Sequence, residues 1–178
     1  CYFMKTEEII LNNFQLKYPL ERLALLSDIL FLDIETTGFL TGSSSIYLIG
    51  CAYYEDGNWK LRQWFAQTPD EESEILSAFL AFAEPYSYLI HYNGNTFDLP
   101  FLRKKADKYG ISYTLSSKKG LDIFRRITPY KNFLKLPDCK LKTIESFLGI
   151  HREDIYTGGQ LIQVYHDYTS SHDYDLYH

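Results

Sequence analysis

Cysteine is scarce in this chain of 178 residues, which contains three: Cys1, Cys51 and Cys139. They show no Cys-x-x-Cys spacing, so the sequence predicts neither a disulfide framework nor a zinc cluster. No run of about 20 apolar residues occurs, which argues against a membrane span. The N-terminal segment does not resemble a secretory signal. We therefore expect a protein of a reducing, cytoplasmic compartment.

Internal repeats, low-complexity tracts and linkers are also missing, which predicts one domain. Hydrophobic residues make up 46% of the chain and charged residues 23%, a composition typical of a globular fold. We expect a lead-in segment at residues 1–27 and a folded domain at residues 28–178. The residues ahead of Met4 are interpreted as a cloning remnant or as a cut from a longer chain.

The net charge of −5 conceals an uneven distribution. Residues 103–142 contain twelve Lys and Arg against three acids, whereas the rest of the chain contains six against twenty. This split favours a basic face that follows a phosphate backbone, with Lys118 and Lys119 as candidate contacts. Four of the basic residues have an alternative interpretation as the solvated side of one helix: Arg103, Lys104, Lys105 and Lys108.

Apolar runs separated by turn residues predict the first strands. SDILFLDIE is typical of a short buried strand, because its apolar run is too brief for a buried helix. SIYLIGCAYY and WKLRQWF flank Asp56 and Gly57, which is the pattern of a β-hairpin. We expect these three strands to be consecutive.

Helical periodicity dominates the chain after residue 67. Thr68, Pro69 and Glu71 form a capping-box pattern with proline at the first helical position, which predicts a helix to about residue 84. YSYLIHY resembles a fourth strand, and the next helix should end at Gly110, a residue suited to a left-handed cap. KLKTIESFLG and GQLIQVYHDY are also helical in pattern. The order predicts an α/β fold: a mixed central sheet with an antiparallel first hairpin and helices on both faces.

Two acids stand at the end of the first predicted strand, in FLDIETTG. Residues two apart in a strand face the same side, so Asp33 and Glu35 should project together. Each would cost several kcal/mol to ionise on a buried strand unless Mg²⁺ or Mn²⁺, which prefers oxygen ligands, compensated the charge. Alternatively, Glu35 is solvated and Asp33 caps the turn.

A third acid comes after the fourth predicted strand, in HYNGNTFDLPFL. Asp98 stands at the start of a helix, where the N-terminal dipole favours its charge. An N-cap role would explain it equally well. The Asn-Gly pair, the adjacent Phe97 and Pro100 occur together straight after a strand, and this combination favours a functional site.

These stretches resemble a known family. FLDIETTG and YNGNTFDLPFL are similar to the first and second motifs of the DnaQ-like, or DEDD, 3′–5′ exonucleases, which have a ribonuclease-H-like fold. GLDIFRRI, KLPDCKLKTIESFLGIHRED and GGQLIQVYHDY are similar, in order and spacing, to the YprB-type branch of that superfamily. The resemblance covers roughly residues 28–178.

The resemblance implies two-metal hydrolysis of phosphodiester bonds from a 3′ end of DNA or RNA, with single-stranded nucleic acid as partner and Mg²⁺ or Mn²⁺ as cofactor. Asp33, Glu35 and Asp98 would be three of four metal ligands. One ion would activate water and the other would stabilise the leaving 3′ oxygen. The implied nucleic-acid contacts are Thr36, Thr37, Gly38, Phe39 and Asn93. Phe39 has an equally good interpretation as an ordinary aromatic residue of a turn.

The third motif of the family places an aspartate four or five residues after a Tyr or His, and we expect it to be missing from the last stretch. The chain stops at DYDLYH, so His178 is interpreted as the first residue of that motif and as a candidate catalytic residue. The fourth carboxylate would then lie beyond it. Asp173 and Asp175 remain as substitutes. Asp122 has a place near the site in the family pattern, but as a lone acid at a strand end it is interpreted as structural.

Two other functions stay open. DIETT also resembles the strand end of aspartyl-phosphate phosphatases, with Asp33 as nucleophile. Those enzymes need a second acidic cluster, whereas this chain has no Asp-Asp or Gly-Asp dipeptide. A ribonuclease-H-like module that binds nucleic acid or docks a partner without cutting is favoured by the missing fourth ligand.

Overall fold

A computed structural model describes residues 4–12, 14–151 and 158–171. Contacts divide the chain into a first unit, residues 1–121, and a second unit, residues 122–178. The strands are β1 (Lys5–Ile10), β2 (Ile29–Thr36), β3 (Ile46–Glu55), β4 (Asn58–Phe65), β5 (Tyr88–His91) and β6 (Lys119–Asp122). The helices are α1 (Glu72–Ala83), α2 (Asp98–Tyr109), α3 (Ile123–Ile127), α4 (Leu141–Phe147) and α5 (Gly158–Ser171).

The strands form one sheet in the order β1-β4-β3-β2-β5-β6. β2, β3 and β4 pair antiparallel with one another in sequence, and β1 pairs antiparallel with β4. β5 pairs parallel with β2, so the sheet is mixed. The predicted mixed sheet and the three consecutive strands are therefore confirmed.

The β3–β4 hairpin turns at the predicted dipeptide. Asp56 has φ 52° and Gly57 has φ 80°, so both turn residues occupy the left-handed region. Two such residues match the twist of the flanking strands, as in the common two-residue hairpins. The turn fixes the register in which β4 lies along β3.

Two strands were not predicted from the sequence. β1 lies within the expected lead-in, and its sequence KTEEII mixes charges with isoleucines in no regular alternation. It becomes a strand by pairing along all of its length with β4, from Lys5 opposite Phe65 to Ile10 opposite Lys60. β6 has four residues, too few for periodicity to show.

The core of the first unit lies between the sheet and α1. Trp64 of β4 packs edge-on against Phe79, with ring centroids 5.8 Å apart, and Tyr53 of β3 packs against Phe82 at 5.0 Å. Phe79 is fully buried. These aromatic contacts fix α1 on the β3–β4 part of the sheet.

The start of α1 differs in detail from the predicted capping box. Within the part of the chain that the structure describes, the Thr68 side chain makes no capping bond. The Glu71 carboxylate instead accepts a hydrogen bond from the backbone N–H of Gln67, at 2.8 Å. A 3-10 turn, Pro69–Glu71, begins at the predicted position and leads into α1 at Glu72. Glu71 accepts from a donor one residue earlier than a capping box would predict.

The second unit contains α3, α4 and α5. Asp122 caps α3, since its carboxylate accepts a bond from the Arg125 N–H at 3.5 Å. Asp138 accepts bonds from the Lys140 N–H and the Thr143 hydroxyl ahead of α4. The helical patterns predicted at α4 and α5 are confirmed, and the cap supports a structural role for Asp122.

Candidate active site

The carboxyl ends of β2 and β5 bring the two predicted acidic stretches together. Asp98, at the first position of α2, accepts a hydrogen bond through Oδ1 from the backbone N–H of Ile34, at 3.2 Å. Ile34 lies between Asp33 and Glu35 on β2. The two stretches, 64 residues apart, thus meet at the carboxyl end of β2.

The three carboxylates lie in different environments but repel one another. Asp33 is exposed, Glu35 is half-buried and Asp98 is buried. Burial and then repulsion from Asp33 raise the pKa of Glu35. Burial, followed by repulsion from Asp33, also raises the pKa of Asp98 to about 7, although backbone N–H donors partly oppose the shift. The acids therefore form an electrostatically coupled set that a cation would relieve.

The set is not a preformed metal cage. Among residues 4–12, 14–151 and 158–171, no three His, Cys, Asp or Glu side chains converge closely enough to hold an ion as they stand. The Asp98 oxygen is engaged by the Ile34 N–H, and Asp33 faces solvent. The donor chemistry suits Mg²⁺ or Mn²⁺, which commonly bind one or two carboxylates and complete their shell with water and phosphate.

The β2–β3 loop, residues 37–45, lies beside the carboxylates. Its base is closed by the Thr37 N–H, which donates to the Ser45 carbonyl, and by the Ser45 N–H, which donates to the Thr37 hydroxyl, each at 2.9 Å. Thr36 is buried and donates to the Gly38 carbonyl at 2.8 Å. The loop is therefore held at both ends by its own polar groups.

Phe39 projects from this loop. Its side chain is 85% exposed, and its ring meets Phe97 edge-on at 6.0 Å. Phe97 directly precedes Asp98, so the structure brings Thr36, Gly38 and Phe39 to the same edge as the carboxylates. An exposed aromatic in this place could stack on a base.

Asn93 lies in the turn between β5 and α2, with φ 60°. Its carbonyl accepts bonds from the N–H groups of Thr96 and Phe97, at 3.0 and 3.4 Å. Asn93 thus shapes the segment that delivers Asp98 to the end of β2.

Gly94 is needed in this turn because a Cβ there would lie 2.7 Å from Nδ1 of the buried His91 ring. We expect Gly94→Ala to lower the free energy of unfolding by about 1–3 kcal/mol, since the buried ring has to move. Gly42→Ala is the control, because a Cβ at Gly42 meets no atom within 4 Å. Denaturant titration of the two variants measures the difference, and equal stabilities would contradict the prediction.

Lys118 and Lys119 lie at the opposite end of the strands. The Lys119 N–H donates to the Ser87 carbonyl, and the Ser87 N–H donates to the carbonyl of Asp28, which directly precedes β2. At about 3.3 Å per residue, Asp28 is roughly 17 Å from Asp33 along β2. The structure therefore does not bring these lysines together with the carboxylates, because they lie beside the strand starts.

The Lys118 side chain also has structural partners. Its Nζ donates to the carbonyl oxygens of Glu84 and Tyr86, just after α1, at 2.9 and 2.5 Å. Burial lowers the pKa of this ammonium group. These bonds engage the ammonium group of Lys118, and its contact with nucleic acid stays a prediction.

The third motif falls mostly outside the described residues, as do His178, Asp173 and Asp175. The sequence itself corrects one prediction. Asp173 lies five residues after Tyr168, a spacing that the motif allows, so the expectation that the last stretch holds no such pair is wrong. Tyr168 is buried in α5. Asp173 is therefore a candidate for the fourth carboxylate.

A buried ion pair beside the site was missed in the sequence. Lys105 is 2% exposed, so its interpretation as part of a solvated helix side is wrong. Its Nζ lies 3.1 Å from the carboxylate of Glu72 on α1, which is fully buried. Helical spacing could have indicated this, because Lys105 comes four and three residues after the buried Phe101 and Leu102.

Comparison with known proteins identifies the family of the chain. The model of the RNase H superfamily matches residues 30–178, which is most of the chain. The chain belongs to the RNase H superfamily. This confirms the predicted superfamily and fold, whereas the narrower YprB-type branch stays a prediction.

Proteins similar to this RNase H superfamily member include DNA polymerases in sequence and fold, and exonuclease I in fold. A DNA polymerase of Thermococcus hydrothermalis is 30% identical in an alignment 153 residues long, which covers 70% of this chain and 9% of the polymerase. The chain thus spans about a tenth of that curated relative. The family B DNA polymerase of Pyrobaculum calidifontis has a TM-score of 0.58 at 17% identity, over 78% of this chain and 21% of its own.

A zinc-bound complex of E. coli exonuclease I with single-stranded DNA has a TM-score of 0.53 at 14% identity, over 83% of this chain and 41% of its own. At this identity the likeness shows the fold. Separately, the described residues include no helix that is both long enough and apolar enough to cross a bilayer.

Proposed function

We propose that the chain is a divalent-metal-dependent nuclease that hydrolyses phosphodiester bonds from the 3′ end of a single strand. The observation that carries the proposal is the bond from the Ile34 N–H to Asp98, which joins two acidic stretches at one sheet edge. Membership of the RNase H superfamily and the fold shared with exonuclease I support it.

Asp33, Glu35 and Asp98 would hold Mg²⁺ or Mn²⁺. The ions, when bound, would supply Lewis-acid stabilisation of phosphate charge and an activated water. Their positive charge would also offset the repulsion that raises the pKa values of Glu35 and Asp98. The exposed Asp33 is the ligand most accessible to a phosphate that arrives from solvent.

The β2–β3 loop would receive the terminal nucleotide. The backbone at Thr36, the last residue of β2, and at Thr37 and Gly38 of the loop runs beside the carboxylates. Phe39 offers an exposed ring for a base. The aromatic contact with Phe97 would hold this ring near Asp98. The chain would thereby orient the scissile phosphate by contacts to the nucleotide on its 3′ side.

We expect Asp33→Asn to reduce cleavage of a 5′-labelled single strand by at least about 100-fold, because a metal ligand is lost. Asp28→Asn, an acid directly before the same strand, is the matched control and should cut normally. The assay uses DNA and RNA strands with Mn²⁺, Mg²⁺ or a chelator. Mn²⁺ binding, measured by paramagnetic resonance of the free ion, should weaken in parallel.

The direction of cutting is tested with two further substrates. A circular single strand should resist, and a strand with a blocked 3′ end should be cut slowly. Undiminished cleavage by Asp33→Asn, or Mn²⁺ binding equal to wild type, would contradict the metal assignment. Rapid cutting of the circle would contradict the need for a 3′ end.

A second candidate function is a module that binds nucleic acid or docks a partner without cutting. The observation that favours it is the lack of a three-ligand cluster among the described residues. This candidate predicts strand binding that is equal with Mn²⁺ and with chelator, and no cleavage in either. Asp173→Asn would further test whether the fourth carboxylate lies within this chain.

A further inference from the structure

Three donors meet at one buried carboxylate next to the candidate site. Glu72 of α1 accepts bonds from the Ile46 N–H at 2.7 Å, from Lys105 Nζ at 3.1 Å and from the Tyr109 hydroxyl at 2.5 Å. Lys105 Nζ also donates to the Ser44 carbonyl. The cluster thus joins α1 and α2 to the end of the β2–β3 loop and the start of β3.

Ser44 links the buried cluster to the other side of the β2–β3 loop, because it contacts Gly38. Its hydroxyl packs so closely on Gly38 that a Cβ built at Gly38 would lie 2.6 Å from the Ser44 Oγ. The position of Ser44 therefore sets the position of Gly38, whose carbonyl is bonded by Thr36. A displacement of Ser44 would move the segment that carries Phe39.

Lys105 is equally connected to the carboxylate end of its helix. It lies seven residues after Asp98 in α2, about 10 Å along a continuous helix. A helix of this length moves as a rigid body, so the bond between Lys105 and Ser44 fixes the distance between Asp98 and the loop.

Resting on the proposed function, we propose that Lys105 and Glu72 are a positioning pair that holds the β2–β3 loop in register with Asp98. A terminal nucleotide seated on the loop then presents its phosphate to the three carboxylates. Two apolar side chains could fill the same volume, but they could not bond the Ser44 carbonyl and the Ile46 N–H. The polar pair therefore contributes alignment rather than net stability.

The test uses the double variant Glu72→Gln/Lys105→Met, which leaves no buried charge and keeps an acceptor for the Ile46 N–H. Its melting temperature should stay near that of wild type. We expect kcat at saturating Mn²⁺ to fall about tenfold or more, because misplacement by about 1 Å can cost 100-fold, while KM for the strand changes little. Amide hydrogen exchange at Thr37 and Ser45 should accelerate.

Glu74→Gln, at an exposed position of α1, is the control and should match wild type in every measurement. A folded double variant with wild-type kcat, or with slow turnover but unchanged exchange in the loop, would overturn the positioning role alone. Failure of wild type and control to cut any strand would overturn the proposed function and the positioning role with it.

A second pair of variants tests the same connection if the double variant does not fold. Gly38→Ala should lower kcat because the new Cβ displaces Ser44. Adding Ser44→Ala removes the Oγ in contact and should raise kcat at least about threefold above that of Gly38→Ala. Wild-type kcat in Gly38→Ala, or no recovery in the pair, would overturn the proposal.

Discussion

Asp98→Asn is expected to stabilise the protein at pH 8 and to abolish its cleavage. The pKa of Asp98 is about 7 in the folded chain, because burial and the neighbouring Asp33 disfavour the carboxylate. A raised folded pKa means that folding favours the protonated acid. Protonated Asp98 contributes its full stabilisation to the folded state below about pH 4, which is its pKa in the unfolded chain. This stabilisation is lost as the pH rises through about 7.

Asparagine is neutral at every pH, so the variant should not show this loss. At pH 8 we expect its free energy of unfolding to exceed that of wild type by roughly 4 kcal/mol, which is about 8–16 °C in melting temperature. Near pH 3.5 the two should be equal. Thermal melts across this range measure the difference, and Asp107→Asn, an exposed acid of the same helix, is the control.

The same variant separates stability from activity. Mn²⁺ should raise the melting temperature of wild type at pH 8, since an ion that binds the folded state stabilises it, and should raise that of Asp98→Asn much less. Cleavage by the variant should be undetectable. A variant that is less stable than wild type at pH 8 would show that Asp98 is structural and that its charge is well accommodated.

Glu72→Ala is expected to be among the most destabilising single substitutions in the chain. It leaves the Lys105 ammonium group buried without its carboxylate and removes the acceptor of the Ile46 N–H. Breaking a buried ion pair from one side costs about 3–5 kcal/mol. Whole domains of this kind are stable by about 5–15 kcal/mol, so the loss is large.

Denaturant unfolding of Glu72→Ala beside Glu74→Ala measures this cost. Glu74 lies exposed on the same helix, so its removal should change stability by less than about 0.5 kcal/mol. Adding Lys105→Met to Glu72→Ala should recover part of the loss, because the unpaired charge disappears. Equal stability of the two single variants would mean that water reaches the Lys105 ammonium group.

The sequence predicted the elements whose signals are local. The Asp56-Gly57 turn, the apolar run of β2 and the left-handed Gly110 each depend on residues a few positions apart, and each is confirmed. The contact between Asp98 and β2 could be predicted for the same reason, since each acidic stretch lies at or just after the end of a predicted strand.

Features that depend on residues far away in the sequence could not be predicted from local patterns. β1 is a strand because β4 lies beside it, and no pattern within KTEEII predicts this. Lys118 was assigned to nucleic acid from the local excess of charge, but its partners are carbonyls 32 and 34 residues earlier. Charge counts along a sequence cannot separate a lysine that faces solvent from one that caps a neighbouring segment.

Lys105 is a case in which the structure corrects the interpretation of the sequence. Its charge suggested solvent, whereas its helical phase placed it among buried residues. The phase is the stronger signal here because α2 has one face on the core, and a residue on that face must be buried whatever its charge.

The outermost strand of the sheet has a consequence for solubility. β1 comes from residues that precede the region shared with the superfamily, yet it covers the backbone edge of β4. A domain that started at residue 30 would leave a row of amide and carbonyl groups on β4 open to pairing with other molecules. β1 is instead the edge strand of the sheet, and it has charged side chains at Lys5, Glu7 and Glu8. Charges on an edge strand oppose pairing with other molecules, so we expect removal of β1 to promote aggregation.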